Sequence, residues 1–104
     1  MSDSLAKLTS EIFAKHLHSR FKLASGEPSM ELLLTTVDER QSSPQIESFS
    51  LIFRGPRTPQ LPQKIYRLEH EELGAFDIFL TPVGADQDGV SYEAVFNRVR
   101  KEGK

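Results

Sequence analysis

A chain of 104 residues with 38% hydrophobic and 27% charged residues can bury one core, which predicts a single soluble domain over residues 1–104 with frayed ends at 1–7 and 99–104. The net charge of −2 leaves no electrostatic footprint for nucleic acid or an anionic membrane, and no apolar run is long enough to span a bilayer. The absence of cysteine excludes disulfides and thiolate chemistry and, with an N-terminus that lacks a signal pattern, predicts a cytoplasmic protein.

One helix is predicted near the N-terminus, over Ser10–Leu17. Thr9 is its predicted N-cap, because a hydroxyl can accept a hydrogen bond from an otherwise unpaired backbone N–H. Leu8 and Phe13 then occupy the two positions of a hydrophobic staple. The helix therefore begins at a defined residue and carries one apolar side.

Six strands are predicted after the helix, because apolar and polar residues alternate in each segment and successive strand side chains point to opposite faces. The segments are Arg20–Ala24, Met30–Asp38, Ser48–Arg54, Lys64–Glu69, Ala75–Pro82 and Val90–Arg98. Short connections between them favour antiparallel pairing. The expected fold is mainly β: about six antiparallel strands in a meander, a small barrel or a strongly curled sheet, with one N-terminal helix.

Turn residues separate the last strands. Glu71–Gly74 is predicted to form one helical turn closed by a left-handed glycine. Asp86–Gly89 resembles the start of a calcium loop, but the twelfth position is Asn97 where the EF-hand form needs a glutamate. A hairpin turn is the better interpretation of that segment.

A second set of apolar residues points away from the main rows, and its members are Leu33, Val37, Ile52, Ile65, Phe79 and Val95. A sheet with one wet face would carry mostly polar residues there. Either the N-terminal helix covers this face, or the face contacts a second copy of the chain or another protein.

The segment from Gly55 to Gln63 is the connection that most resembles a binding loop. Its three prolines favour polyproline II, and residues 59–64 match a PxxPxK ligand pattern. The competing interpretation is a stiff connection that packs Leu61 on the rim of the sheet. The candidate binding residues in and beside this loop are Arg54, Arg57, Leu61 and Gln63.

His70 is the fifth candidate binding residue. It stands beside Glu69, Glu71 and Glu72, and histidine with carboxylates can bind zinc or act as a general base. The ligand spacings of known zinc motifs are missing, and so are nucleophile elbows and phosphate-binding loops. We therefore assign no catalytic residue, no metal and no cofactor.

Most of residues 8–97 resemble a family of small bacterial domains of unknown function. The motifs that carry the resemblance are FSLIFRGP at 49–56, LPQ at 61–63, YRLEH at 66–70, LGAFDIFLTPVG at 73–84 and YEAVFN at 92–97. The resemblance implies no catalytic residue. It implies an assembly or accessory role, since members are similar to genes found near phage-tail-collar-like proteins.

The expected function is a non-enzymatic interaction or assembly domain, with either a protein partner or self-association and with no nucleic acid or membrane as partner. The alternative is a small-ligand-binding or metal-dependent enzyme that uses His70 with Glu69 or Glu72.

Overall fold

The computed structural model describes residues 8–24, 30–39, 46–58 and 60–99. These residues form one helix, α1 (Ser10–Lys15), and six strands: β1 (Arg20–Leu23), β2 (Glu31–Glu39), β3 (Ile46–Gly55), β4 (Lys64–His70), β5 (Gly74–Asp86) and β6 (Gly89–Val99). All six predicted strands are therefore confirmed. Val99 is the last residue of β6, and the other residues predicted to fray, 1–7 and 100–104, lie outside the described residues.

The strands form one antiparallel sheet that closes into a ring in the order β1-β2-β3-β6-β5-β4, with β4 pairing back to β1. Consecutive strands pair within each half of the chain, β1 to β3 and β4 to β6. The two halves join where β3 pairs with β6 along ten registered positions, from Ile46–Val99 to Gly55–Val90. The mainly β, antiparallel prediction is thus confirmed, although β3 and β4 are not neighbours as they would be in a continuous meander.

The main rows of large side chains point into the ring, as the alternation predicted. Phe49, Leu51 and Phe53 are fully buried on β3, and Tyr92 is fully buried opposite Phe53 on β6. The remaining core residues of the strands are Phe21, Leu23, Leu32, Leu34, Tyr66, Leu68, Phe76, Ile78, Leu80, Val90, Ala94 and Phe96. Burying these side chains is the main favourable contribution to folding.

The ring has two ends, which differ in what closes them. At the helix end, β1, β3 and β5 begin and α1 lies across the opening. At the loop end, β2, β4 and β6 begin and residues 56–63 carry the chain from β3 to β4. Because neighbouring strands are antiparallel, β4 runs from the loop end at Lys64 to the helix end at His70.

α1 starts where the sequence predicted and ends earlier. The Thr9 hydroxyl accepts a hydrogen bond from the Ile12 amide at 3.2 Å, which confirms the N-cap. The helix ends at Lys15 rather than Leu17, because His16 is its C-cap and His18 takes a left-handed φ of 69°. This early reversal turns the chain directly into β1.

Phe13 inserts from α1 into the ring. Its ring centroid lies 6.1 Å from that of Phe49, 6.2 Å from Phe76 and 6.0 Å from Phe96. The helix therefore closes an end of the ring, and the expectation that it covers the outer face of the sheet is wrong for β4, β5 and β6.

Val37 departs from the predicted second face. The register between β2 and β3 shifts between Leu34 and Thr36, so that Val37 pairs with the buried Leu51 and packs against the core. A bulge adds one residue to one strand, and every side chain after it changes face.

Candidate functional site

Leu61, one of the predicted binding residues, is buried at the mouth of the loop end. Its backbone N–H donates to the hydroxyl of Tyr92 at 2.9 Å. One residue further on, the Pro62 carbonyl accepts a hydrogen bond from the hydroxyl of Tyr66. The connection is therefore held on two tyrosines that belong to the core of the ring.

The side chain of Arg54 is hydrogen-bonded to the hairpin between β5 and β6. Its guanidinium donates to Ser91 Oγ at 2.7 Å and to Asp86 Oδ1 at 2.8 Å. Asp86 Oδ1 also accepts from the amides of Asp88 and Gly89, at 2.9 and 3.1 Å. The hydrogen bond from Arg54 is the main reason that the pKa of Asp86 is lowered.

The five predicted binding residues do not form one site. Arg54, Leu61 and the exposed Arg57 and Gln63 lie at the loop end, whereas His70 lies at the helix end. β4 separates the two groups along its whole length, because Gln63 precedes its first residue and His70 is its last.

At the helix end, His70 is buried with both ring nitrogens engaged. Nδ1 accepts hydrogen bonds from the amides of Glu72 and Leu73, at 3.0 and 3.2 Å. Because an atom that accepts two N–H groups carries no proton, the ring is the neutral form protonated on Nε2. Nε2 then donates to Ser19 Oγ, 3.0 Å away, and Ser19 donates onward to the carbonyl of His16.

His16 is in the opposite charge state. Nδ1 lies 2.9 Å from the carbonyl oxygen of Ile12, and Nε2 lies 2.9 Å from Oε1 of Glu72. Since both partners are acceptors, both nitrogens carry a proton and the ring is an imidazolium. The hydrogen bond to Ile12, followed by the one to Glu72, raises the pKa of His16, and the same contact with His16 lowers the pKa of Glu72.

A charged ring and a neutral ring thus stand edge to face, with centroids 4.9 Å apart. Desolvation is the largest influence on His70 and the charge of His16 the second, and both lower the pKa of His70. We call the side chains of His16, Ser19, His70 and Glu72 the histidine cluster.

The histidine cluster lies in an open cleft of about 790 Å³, whose charged lining residues are Arg20, Lys22, Glu31, Glu69 and Glu71. Its bonding pattern does not suit catalysis by a serine activated through histidine. A base must offer Nε2 as an unprotonated acceptor to Ser19, whereas the turn amides fix the proton of His70 on that nitrogen. Within residues 8–24, 30–39, 46–58 and 60–99, no three His, Asp or Glu side chains are placed to share a metal ion.

A different surface carries three of the exposed large apolar residues. On the outer face of β4, β5 and β6, Ile65 is 63% exposed, Phe79 49% and Val95 59%. Ile65 pairs directly with Phe79. We call these three side chains the apolar strip; the sequence placed all three on a second face but did not distinguish them from Leu33 and Ile52, which are half-buried.

A second cleft runs beside the apolar strip, between β5 and β6. The two strands pair from Asp86–Gly89 to Thr81–Glu93, and toward the helix end β5 continues beside β4 while β6 continues beside β3. The space between them is a cleft of about 350 Å³ lined by Ile65, Asp77, Ile78, Phe79, Ala94, Val95, Phe96 and Asn97. No sequence signal marked this opening, because it depends on where two strands stop pairing.

α1 has six residues, and the described part of the chain holds no helix long and apolar enough to cross a bilayer.

Comparison with protein families matches residues 8–96 to the family described as Domain of unknown function (DUF6916). The chain belongs to this family. The match spans both ends of the ring, from Leu8 before α1 to Phe96 near the end of β6, so the whole described fold is the family's domain. No curated protein and no solved structure matches the chain.

Proposed function

We propose that this domain binds an extended segment of another protein in the cleft between β5 and β6. The observation that carries the proposal is the coincidence of the apolar strip with the place where β5 and β6 stop pairing. Monomeric proteins seldom leave several large apolar side chains together on the surface, and such patches mark contact sites.

The backbone of β5 favours an extended partner. From Gly74 to Leu80 the strand pairs with β4, and the registered pairs between β5 and β6 begin only at Thr81. In an antiparallel strand alternate residues direct their N–H and C=O groups to opposite sides, so part of this stretch directs such groups toward the cleft. An added strand can pair with them, which is a common mode of peptide recognition.

The side chains define the chemistry of the segment. Phe79 and Val95 flank the cleft, and Ile65 continues the apolar surface across β4. A segment with apolar residues at every second position would place that row beside the apolar strip on the outer face, while its alternate row would point toward the interior of the ring. Beside the strip, Arg67 and Asp77 pair at 2.9 Å, so the surroundings carry no strong charge of one sign.

The enzyme alternative at the histidine cluster has less support, because the tautomer of His70 does not provide a base toward Ser19. Bacterial origin, a cytoplasmic location and an accessory role near phage-tail-like proteins stay predictions. An assembly partner that contributes a strand would be consistent with such a role.

The test is a selection of ten-residue peptides from a phage-displayed random library on the immobilised full chain. We expect enriched sequences to carry large apolar residues at every second position. A synthetic peptide of an enriched sequence should shift the NMR amide signals of residues 74–80 more than those of the hairpin at Asp86–Gly89. Phe79→Ser should weaken its binding by about tenfold or more, since burial of one aromatic side chain is worth over 1.4 kcal/mol.

The matched control is Val83→Ser, because Val83 lies on the same strand, is 52% exposed and is not part of the cleft lining. Its affinity for the peptide should equal that of the unchanged chain. Failure to enrich any sequence, or equal loss of binding in both variants, would overturn the proposal. So would a dimer that Phe79→Ser dissociates, since a second copy would then occupy the cleft.

A further inference from the structure

We propose that the histidine cluster is an acid-sensitive clasp, in which neutral His70 and charged His16 together fix the turn after β4 to the end of α1. Protonation of His70 releases the turn and the end of α1 from each other. This inference is independent of the proposed peptide site, which lies between β5 and β6. It rests on the hydrogen-bond geometry of four side chains.

The first half of the clasp is the β4–β5 turn. The amides of Glu72 and Leu73 both point at Nδ1 of His70, and Gly74 closes the turn with a left-handed φ of 83°. A proton on Nδ1 would place an N–H group against two others and remove both hydrogen bonds. The turn therefore holds this form only while His70 is neutral.

The second half of the clasp is the end of α1. Glu72, which the turn positions, accepts a hydrogen bond from His16, the C-cap of the helix. Ser19, just before β1, links the carbonyl of His16 to Nε2 of His70. Two chain segments far apart in sequence are thus joined through the two rings.

The other charged groups around the cluster stand on α1, β1, β2, β4 and the β4–β5 turn. Arg20 lies 3.8 Å from Glu31, and Lys22 on β1 is registered opposite Glu69 on β4. On α1, Lys15 opposes a positive charge on His16; in the turn, Glu71 and Glu72 favour one on His70. Among the described residues, the charged groups that line this cleft or act on the two rings are Lys15, Arg20, Lys22, Glu31, Glu69, Glu71 and Glu72.

Protonation of His70 would therefore create a second imidazolium with its centroid 4.9 Å from that of His16. The aromatic ring of Phe21, whose centroid lies 4.6 Å from that of His70, would attract this charge. The carboxylates of Glu71 and Glu72 compensate in part, but desolvation and the charge of His16 outweigh them, so that the pKa of His70 is lowered from 6.5. The protein consequently loses stability at this site as the pH falls from 6.5 through the folded-state pKa.

The test is amide hydrogen exchange of the unchanged chain at about pH 6.5, where both halves of the clasp should hold, and at about pH 5, within the range in which histidine titrates. After correction for the intrinsic exchange rate, the protection factors of Glu72 and Leu73 and of the amides of α1 should fall about tenfold on acidification. The amides of Asp88 and Gly89, which are bonded to a carboxylate at the loop end, should keep theirs. Equal loss at both ends would overturn the proposal.

The variant His70→Asn distinguishes opening of the clasp by acid from a general loss of stability. The side-chain oxygen of asparagine can take the place of Nδ1 as acceptor for the turn amides, yet it does not titrate. We expect protection at the helix end no longer to fall on acidification. His18→Asn is the matched control, because His18 is an exposed histidine with a left-handed φ that asparagine tolerates, and this variant should keep the acid response.

NMR of the ring nitrogens tests the same proposal even if His70→Asn does not fold. At neutral pH the unchanged chain should show His70 with its proton on Nε2 and His16 with protons on both nitrogens. A proton on Nδ1 of His70 would contradict the proposal. So would titration of His70 with no change in the Glu72 and Leu73 amides.

Discussion

Both ends of the ring are closed by an apolar side chain, but different polar contacts hold the closing segments in place. Each is closed by a buried apolar side chain from outside the sheet, Phe13 at the helix end and Leu61 at the loop end. Leu61 is fixed by a hydrogen bond from its own backbone N–H to the hydroxyl of Tyr92. The segment that carries Phe13 is instead fixed through two histidines, His16 with a raised pKa and His70 with a lowered pKa.

The two closed ends of one ring can therefore respond differently to a change of pH. Apolar packing supplies most of the stability at both ends, and it depends little on pH. The polar contacts that hold the closing segments decide which end opens first when the pH changes. Four substitutions test this difference between the ends, and the expected loss of stability decreases from the first to the last.

Phe13→Ala should destabilise the protein most. It removes a fully buried ring that contacts three other phenylalanines and leaves a cavity at the helix end, which costs about 3–5 kcal/mol. Urea unfolding measures the change in free energy. Phe79→Ala is the control, because that ring is half exposed on the outer face, and its loss should cost about 1 kcal/mol or less.

Tyr92→Phe should weaken the loop end by about 1–3 kcal/mol, because it leaves the buried amide of Leu61 without its acceptor. Tyr66→Phe is the matched variant. It removes a donor to the exposed carbonyl of Pro62, which water can replace, so a smaller loss is expected. Equal losses in the two variants would show that the Leu61 contact has no special weight.

His16→Gln should change the shape of the stability profile against pH. The pKa of His16 is raised in the folded state, so its contribution is complete below pH 6.5 and is lost as the pH rises through the folded value. The pKa of His70 is lowered, so its contribution to stability decreases in the other direction, as the pH falls below 6.5. The two histidines together predict a maximum of stability near pH 6.5. Glutamine keeps an N–H for Glu72 without a charge, so the decline above this maximum should disappear. Thermal melts across the pH range test this, and an unchanged profile would refute it.

Asp86→Asn should have the smallest effect. The pKa of Asp86 is lowered by Arg54, so the contribution of this contact is present above pH 3.8 and is lost as the pH falls through the folded value. The carboxylate is exposed, and asparagine keeps an oxygen for the amides of Asp88 and Gly89. A slight loss at neutral pH, reduced further by high salt, is expected in melts at low and high ionic strength.

Local patterns predicted the fold well because they act through neighbouring residues. The Thr9 cap needs only the next three residues, and the strand alternation needs only the pleat of the backbone. The same patterns failed at Val37, where strict alternation does not allow for a bulge. They also placed His70 beside Glu69, Glu71 and Glu72 without its main partners, since His16 and Ser19 come from the other half of the chain.

The apolar strip shows the same limit of local sequence patterns. Ile65, Phe79 and Val95 were identified as outward-facing from sequence, yet nothing local distinguished them from Leu33 or Ile52. Their exposure follows from where α1 docks, and the cleft beside them follows from where β5 and β6 separate. Both features are results of assembly between distant segments.

The sequence by itself determined which side chains face the interior, because alternation along a strand is a property of the backbone. It also determined the helix start and the turns, since caps and left-handed glycines are local. Three features appear only in the folded chain: β4 pairs with β1, one glutamate contacts both histidines through its carboxylate and its amide, and a cleft opens beside the exposed apolar residues. These features depend on contacts between residues far apart in the chain, which no local pattern encodes.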